Sequence, residues 1–331
     1  MHDANGANGR RDAVHLEQLY FFLHAAEVQH FTKASQDLHV SQPALSRSLK
    51  KLEQELGIEL FRKSGRGVEL TENGRIFAQH ALKGLQELNA GIAFAHSQAG
   101  TLTGELTLGG IITARSCFML PLLDEYQQRC PNVTVTDHLG VSVDLRTNVL
   151  EGKYDAVIAG PIDNPSLAKR PIYSQQLVLY APTFHRASQF TKVSLDDLRN
   201  MEVATYGSDT LPGRLIDSFF AQQGLNPEGH FRNLTRTCSE ETTLAHQVIR
   251  NKCVGIGLLT SHLLPYPNLI AVPFDEEPTR HFFDVSLYYR NDLLQSPCLQ
   301  AFVDCFDETA SSIETTHGLE HAKPVRDALE L

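Results

Sequence analysis

Phe31-Thr32-Lys33-Ala34-Ser35-Gln36-Asp37-Leu38-His39-Val40-Ser41-Gln42-Pro43-Ala44-Leu45-Ser46-Arg47-Ser48-Leu49-Lys50-Lys51-Leu52 is the stretch that decides how this chain is read. Ala34 and Leu38 lie four apart, on one face of a short helix whose N-cap is expected at Thr32. Ser41 is suited to cap a second helix, with Pro43 in the first turn, where a missing N–H costs nothing. Leu45, Leu49, Leu52 and Leu56 of that helix fall on one stripe. The opposite side carries Pro43, Arg47, Lys50 and Gln54, flanked by Ala44 and Ser46. A leucine stripe fixes the helix angle, small residues permit close approach, and long donors reach bases and phosphates. That is the build of a helix-turn-helix whose second helix enters the DNA major groove. Gln42 can pair with an adenine edge; Arg47 can do the same with guanine or grip a phosphate.

Working outward, Leu16, Leu19, Tyr20, Leu23 and Val28 have helical spacing and predict a first helix from Leu16 to Glu27. After Gly57, the apolar pair Leu60-Phe61 leads into a basic, glycine-containing turn and the alternating Val68-Glu69-Leu70. This pattern predicts a two-stranded wing offering Arg62, Lys63 and Arg66 to phosphate or the minor groove. Thr71 then caps a long helix, Glu72 to Ser97. Its residues Ala78, Ala81, Leu85, Leu88, Ile92 and Ala95 are spaced as a coiled-coil seam and are expected to dimerise the chain. The expected DNA-binding set is Thr32, Ser41, Gln42, Pro43, Ala44, Ser46, Arg47, Lys50, Arg62 and Arg66.

These residues resemble a family. Leu19-Tyr20-Phe21-Phe22, Phe31-Thr32-Lys33-Ala34, Leu38 to Ser46, Leu52-Glu53-Gln54-Glu55-Leu56-Gly57, Leu60-Phe61-Arg62 and Leu70-Thr71-Glu72-Asn73-Gly74 resemble the N-terminal domain of LysR-type transcriptional regulators. The match is dense from Leu16 to Ala81; Ser35 stands where the family usually has a second alanine. The resemblance implies an all-α winged helix-turn-helix with a dimerising linker helix. It also implies an α/β effector domain like a periplasmic binding protein, a homotetramer and a small-molecule co-inducer.

The rest of the chain reads as α/β. Residues 98–104 form a small, polar hinge. Two similar halves follow, each with strand and helix in alternation, which implies parallel sheets with helices on their faces. In the first half the strands are Leu106 to Gly109, Val133 to Leu139 and Ala156 to Ala159, with helices Cys117 to Arg129 and Asp144 to Leu150. In the second they are Glu202 to Tyr206, Phe231 to Thr237 and Val254 to Leu259, with helices Arg214 to Gln223 and Glu240 to Asn251. Apolar Leu177 to Ala181 and Val285 to Tyr289 stand where crossover strands would join the halves. A ligand is then expected in the cleft at the strand ends. The candidates are Thr113, Ala114, Arg115, Ser116, Gly140, Ser142, Pro161, Ser208, Thr237, Cys238 and Ser239. Helix N-termini favour anions, so a small carboxylate is the expected effector class.

The boundaries that follow are a disordered extension (1–14), the winged helix-turn-helix (15–71), the linker helix (72–97), the hinge (98–104), an effector-binding domain (105–309) and a tail (310–331). Subdomain I comprises about 105–174 and 282–309, and subdomain II about 175–281. Net charge is −10, yet the ten basic and ten acidic residues up to Arg75 cancel, so the deficit lies downstream. A local basic face can still bind phosphate. No apolar run approaches the roughly 18 residues of a membrane span, and Met1 to Asp12 lacks the apolar core of a secretory signal. Six scattered cysteines without a C-x-x-C pair point to reduced thiols in the cytoplasm. Cys238 stands beside an expected helix start, where a thiolate is favoured, but without a partner at short spacing the thiols are read as buried or idle. His317-Gly318-Leu319-Glu320-His321 spells a zinc-protease pattern in a polar tail and is set aside as chance. No phosphate-loop, dinucleotide or nucleophile-elbow motif occurs.

The reading is therefore a non-enzymatic, sequence-specific DNA-binding regulator. It needs no metal or cofactor and no membrane. Its partners are promoter DNA, a small effector, further copies of itself as dimer or tetramer, and RNA polymerase. The competing reading is a cytoplasmic small-molecule-binding protein or enzyme whose N-terminal region only scaffolds.

Overall fold

The computed structural model describes residues 14–65, 67–98, 101–260, 262, 266–293 and 296–317. The chain divides into two compact units, one ending at Ile92 and the other beginning at Ala93. The extension 1–13, Arg66 and the stretch 318–331 with the end of the zinc-protease pattern lie outside the described residues.

The first unit builds on three helices, α1 (Leu16–Val28), α2 (Phe31–Asp37) and α3 (Gln42–Leu56). Helix α2 starts one residue before Thr32, because His30 is the cap: its ring nitrogen accepts from the Lys33 N–H. Ser41 caps α3, its hydroxyl accepting from the Ala44 N–H at 3.3 Å, and Gly57 ends the helix at φ 70°. Leu45, Leu49 and Leu52 are 0–2% exposed, so each contributes about 1.5–3 kcal/mol of burial. A second core component is aromatic: Phe22 meets Phe61 and Phe77, and Phe31 meets Phe61, with ring centroids 5.2–5.5 Å apart.

The wing is β1 (Phe61–Ser64) paired with β2 (Gly67–Leu70). Glu53 of α3 fixes it: one carboxylate oxygen accepts from the N–H groups of Leu60 at 2.7 Å and Phe61 at 3.1 Å. The other strand is held by the Val68 N–H, which donates to the Gln29 carbonyl. Close approach is built in, since a Cβ on Gly67 would lie 2.7 Å from that carbonyl oxygen and one on Gly74 would lie 2.1 Å from the Leu60 oxygen. Thr71 caps α4 (Glu72–Gln98), accepting from the Gly74 N–H at 2.9 Å. In α4 the expected seam divides. Ala81 and Leu85 are buried at 6% and 4%, and Ala81 belongs to the core of its own unit, whereas Leu88 and Ile92 are 39% and 48% exposed. The regular spacing serves the unit's own core first, so Ala81 and Leu85 are removed from the expected dimer face.

The second unit contains two five-stranded sheets. The first has the order β4-β3-β5-β12-β6, with β3 Gly104–Gly110, β4 Val133–Leu139, β5 Ala156–Ala159, β6 Leu167–Gln175 and β12 Phe283–Arg290. The second has the order β11-β7-β10-β8-β9, with β7 Leu177–Pro182, β8 Glu202–Tyr206, β9 Asn233–Cys238, β10 Val254–Leu258 and β11 Leu269–Pro273. The chain passes between sheets from β6 to β7 and again from β11 to β12. Both sheets are mixed rather than parallel: β12 runs antiparallel to β5 and β6, and β7 antiparallel to β10 and β11. A strand that arrives from the other sheet enters from the hinge side, opposite to the strands fed by local crossovers.

Helices cover the faces. A helix begins at Ile112 (α5, Ile112–Ala114), widens into a π turn over Arg115–Met119 and continues as α6 (Leu120–Arg129). It therefore starts five residues before Cys117. The others are α7 (Ser142–Leu150), α8 (Leu211–Gln222), α9 (Pro227–His230), α10 (Glu241–Asn251) and α11 (Pro297–His317). Helix α11 packs on α6 through the Tyr126–Phe302 and Phe118–Phe306 ring pairs, and runs past the expected boundary at 309.

Two of these contacts are open to direct test. Glu53→Ala leaves the N–H groups of Leu60 and Phe61 without their acceptor and should cost about 1–3 kcal/mol, read as a lowered urea midpoint. Asp155 accepts from the Thr107 N–H at 2.7 Å, and burial pushes its carboxyl up to about 6, the Thr107 bond opposing. The folded form thus holds its proton more tightly than the unfolded chain. Stability present below about pH 4 should fall as pH rises through about 6, by at most roughly 3 kcal/mol. Asp155→Asn should flatten that fall in urea titrations; an unchanged slope would refute the assignment.

Candidate functional site

One face of α3 is bare. Gln42, Pro43, Arg47, Lys50 and Gln54 are exposed, and Ala44 and Ser46 are half-buried beside them. Among the described residues, no hydrogen bond or ion pair engages the side chains of Gln42, Arg47 or Lys50, whereas Lys51 pairs with Glu55 at 3.4 Å. The neighbouring donors are engaged in other ways. The Ser41 hydroxyl is used in its cap, and Thr32 is exposed on α2 with its carbonyl accepting from Ser35. Arg62 is paired across the wing with Glu69 at 2.7 Å, so that of the two exposed cations of β1 Lys63 has no acidic partner among the described residues. An exposed pair of this kind is worth little and can exchange its partner for phosphate.

In the second unit the strand ends gather the expected loops into two sets. On the first half, Gly140 N–H donates to Gly110 O, Ile111 N–H to Ile158 O, and Gly160 N–H to the Ser142 hydroxyl at 3.2 Å. On the second half, Gly207 N–H donates to Cys238 O at 2.8 Å, and Arg236 reaches the Ser208 hydroxyl at 3.4 Å while pairing with Asp217. Several expected ligand residues are committed elsewhere. Ala114 is wholly buried in the core, and Thr113 is 6% exposed, because the helix begins before them. Arg115 pairs with Asp137 at 2.7 Å. Cys238 ends β9 instead of opening a helix, and burial pushes its thiol up, against a thiolate. Ser116, Thr237 and Ser239 are exposed, and Pro161 is half-buried.

Residues that the spacing did not single out occupy the seam between the halves. The Tyr206 hydroxyl donates to Glu241 at 3.0 Å and accepts from the Leu258 N–H at 3.0 Å. Burial pushes the hydroxyl of Tyr173, on the first half, well up; its neighbour Cys117 adds to this, and Glu241 adds the least. Burial likewise raises the Glu241 carboxyl, against its own N–H and Tyr206. A signal was present: Tyr206 is the last residue of its strand and Glu241 the first of its helix, the two positions that project at a strand-end cleft. Of the helix starts expected to attract an anion, that of α8 is filled by the Thr210 hydroxyl and that of α10 by Glu241 itself. A separate cavity of about 470 Å³ lies at the other end of the second half, lined by residues including Arg199, Asn226, His230 and Glu276. None of the expected residues lines it.

Comparison with known proteins bears on both units. The domain described as "Bacterial regulatory helix-turn-helix protein, lysR family" matches residues 16–75, and "LysR substrate binding domain" matches residues 99–311. The chain is 29% identical over 248 residues to the transcriptional regulator AlsR of Bacillus subtilis, covering 74% of this chain and 79% of AlsR. It is 37% identical over 148 residues to the regulator IlvY of Escherichia coli, covering 44% and 49%. Its fold resembles a full-length OxyR variant of Pseudomonas aeruginosa (TM-score 0.68, 22% identity, 91% of this chain and 94% of that one). It also resembles CbnR solved with its target DNA (TM-score 0.60, 22% identity, 89% and 99%).

Proposed function

The chain belongs to the LysR family of bacterial regulators, and from that premise we propose how its parts divide the work. It is a DNA-binding transcriptional regulator with a C-terminal domain for effectors. The bases are read by Gln42, Pro43, Ala44, Ser46, Arg47 and Lys50, with Thr32, Ser41 and Arg62 taking the phosphate backbone, a role that the sequence also gives Arg66, outside the described residues. The observation that carries this assignment is the division of α3 into a buried leucine stripe and a face whose long donors have no partner among the described residues. Unpaired donors on a rigid helix have no intramolecular bond to break before meeting base edges, and they release counterions from the phosphates.

Self-association is assigned to the exposed lower part of α4, Leu88, Ile92 and Ala95, with Ala78 above them. One helix-turn-helix buries little DNA, so two copies about a two-fold axis are the usual arrangement; a tetramer pairs two such dimers. The effector binds at the seam between the halves of the second unit, and its occupancy biases the setting of the DNA-reading copies. RNA polymerase is the partner through which an activator of this design would act. Among the described residues no helix is long and apolar enough to cross a membrane, and the chain works where the DNA is, in the cytoplasm. The relatives are transcriptional regulators, and no catalytic step is assigned.

Two experiments test these assignments. Arg47→Ala should weaken binding to duplexes selected from a random pool and relax preference at one or two base positions, by about 1–3 kcal/mol at each. A loss that is uniform across sequences would make Arg47 a phosphate contact. Leu88→Glu together with Ile92→Glu should shift sedimentation toward the monomer with little change in the melting of the first unit, since both side chains are exposed. An unchanged profile would place the interface elsewhere.

A further inference from the structure

The seam holds a buried carboxyl that has no Lys or Arg partner among the described residues, His262 being the basic side chain that acts on it. Glu241 is 6% exposed, and its hydrogen bond to Tyr206 comes from a neutral hydroxyl. Among the described residues, no Lys or Arg pairs with it. The cations nearest the strand ends are occupied: Arg115 by Asp137, and Arg236 by Asp217. The groups that face Glu241 are Tyr206, Tyr180 and His262 from its own half, Glu240 beside it, and Tyr173 from the other half. Two residues beyond β10, whose end is bonded to Tyr206, stands Thr260. It is 3% exposed, and its hydroxyl has no hydrogen-bond partner. On the first half, Ile112, Leu139 and Val141 stand at the ends of β3 and β4 with 46–61% of their surface exposed.

An unpaired buried carboxylate is unfavourable, and so is a buried hydroxyl without a partner. A ligand nitrogen carrying hydrogens relieves both, because an ammonium group has three donors and a full charge. An anionic group at the same place would lie against the Glu241 carboxyl in the first turn of α10. We propose that the effector is an amine with an apolar body, and that Glu241 is the specificity-determining residue that takes its ammonium group, assisted by Thr260. The apolar body lies toward Ile112, Leu139 and Val141. This inference rests on the reading of the seam as the effector site.

The test uses the full-length protein and matched probes that differ in the amine: L-leucine against isocaproate, L-phenylalanine against hydrocinnamate, and isoamylamine against isoamyl alcohol. At saturation, members with the amine should raise Tm by about 5–10 °C, and their amine-free partners should not. Glu241→Gln, with its fold checked by circular dichroism, should lose that shift. If the variant does not fold, the matched pairs on the wild-type protein decide alone. Amine-free acids that shift Tm as much as their amines in both proteins would overturn the amine proposal and leave the seam an effector site. If no probe shifts Tm, the amine proposal falls; if effectors found by selection also act unchanged on a Thr260→Tyr variant that blocks the seam, the effector-site reading falls with it.

Discussion

A helix that reads DNA must be gripped along one side and left bare along the other, and the first unit is built around that constraint on α3. Leu45, Leu49 and Leu52 supply the grip by burial, which is strong but has no direction. Direction comes from polar bonds at defined points. Gln18 of α1 donates to Glu55 at 3.1 Å, and Glu53 takes the two N–H groups that open the wing. Both acids leave α3 between the leucine stripe and the bare face, so they add no anion where phosphate would lie. The helix commits its acidic residues to its supports and keeps Arg47 and Lys50 unengaged.

The same division of charge explains how a chain of net charge −10 can approach DNA. Screening limits the reach of exposed charges to about 8–10 Å at physiological salt, so what matters is the field within one helix diameter of the contact. There, Arg47, Lys50 and Lys63 have no acidic partner among the described residues, while Arg62 has one in Glu69. The wing is thus a weaker cationic element than its composition suggests, and α3 carries the larger share of the local field.

Where the chain was legible and where it was not follows from the kind of force that sets each feature. Ser41, Gly57, Thr71 and the leucine stripe act through neighbours along the chain, and the structure has each where spacing puts it. Thr32 failed as a cap because His30, just before it, competes for the same role, and both are polar residues at the start of the helix. The start at Ile112 was hidden by apolar residues that serve equally at a strand end and in the first turn of a helix. A seam spacing cannot distinguish a partner's surface from the core of the same unit, which Ala81 joins. The direction of β7 and β12 depends on which sheet the chain has just left, and no local pattern carries that information. Tyr206 and Glu241 meet across distant segments, so their contact appears only once the second sheet exists.

The seam also limits how far a general rule reaches. Helix N-termini favour anions, but that preference can be satisfied internally. At α8 the Thr210 hydroxyl does so without adding charge, and at α10 the Glu241 carboxyl, which burial raises, accepts from its own N–H. The second choice places an acid beside the helix start that would otherwise attract an anion. The residue after a cap can therefore weigh against the helix dipole behind it; at α10 that residue is Glu241, buried and bonded to the Tyr206 hydroxyl.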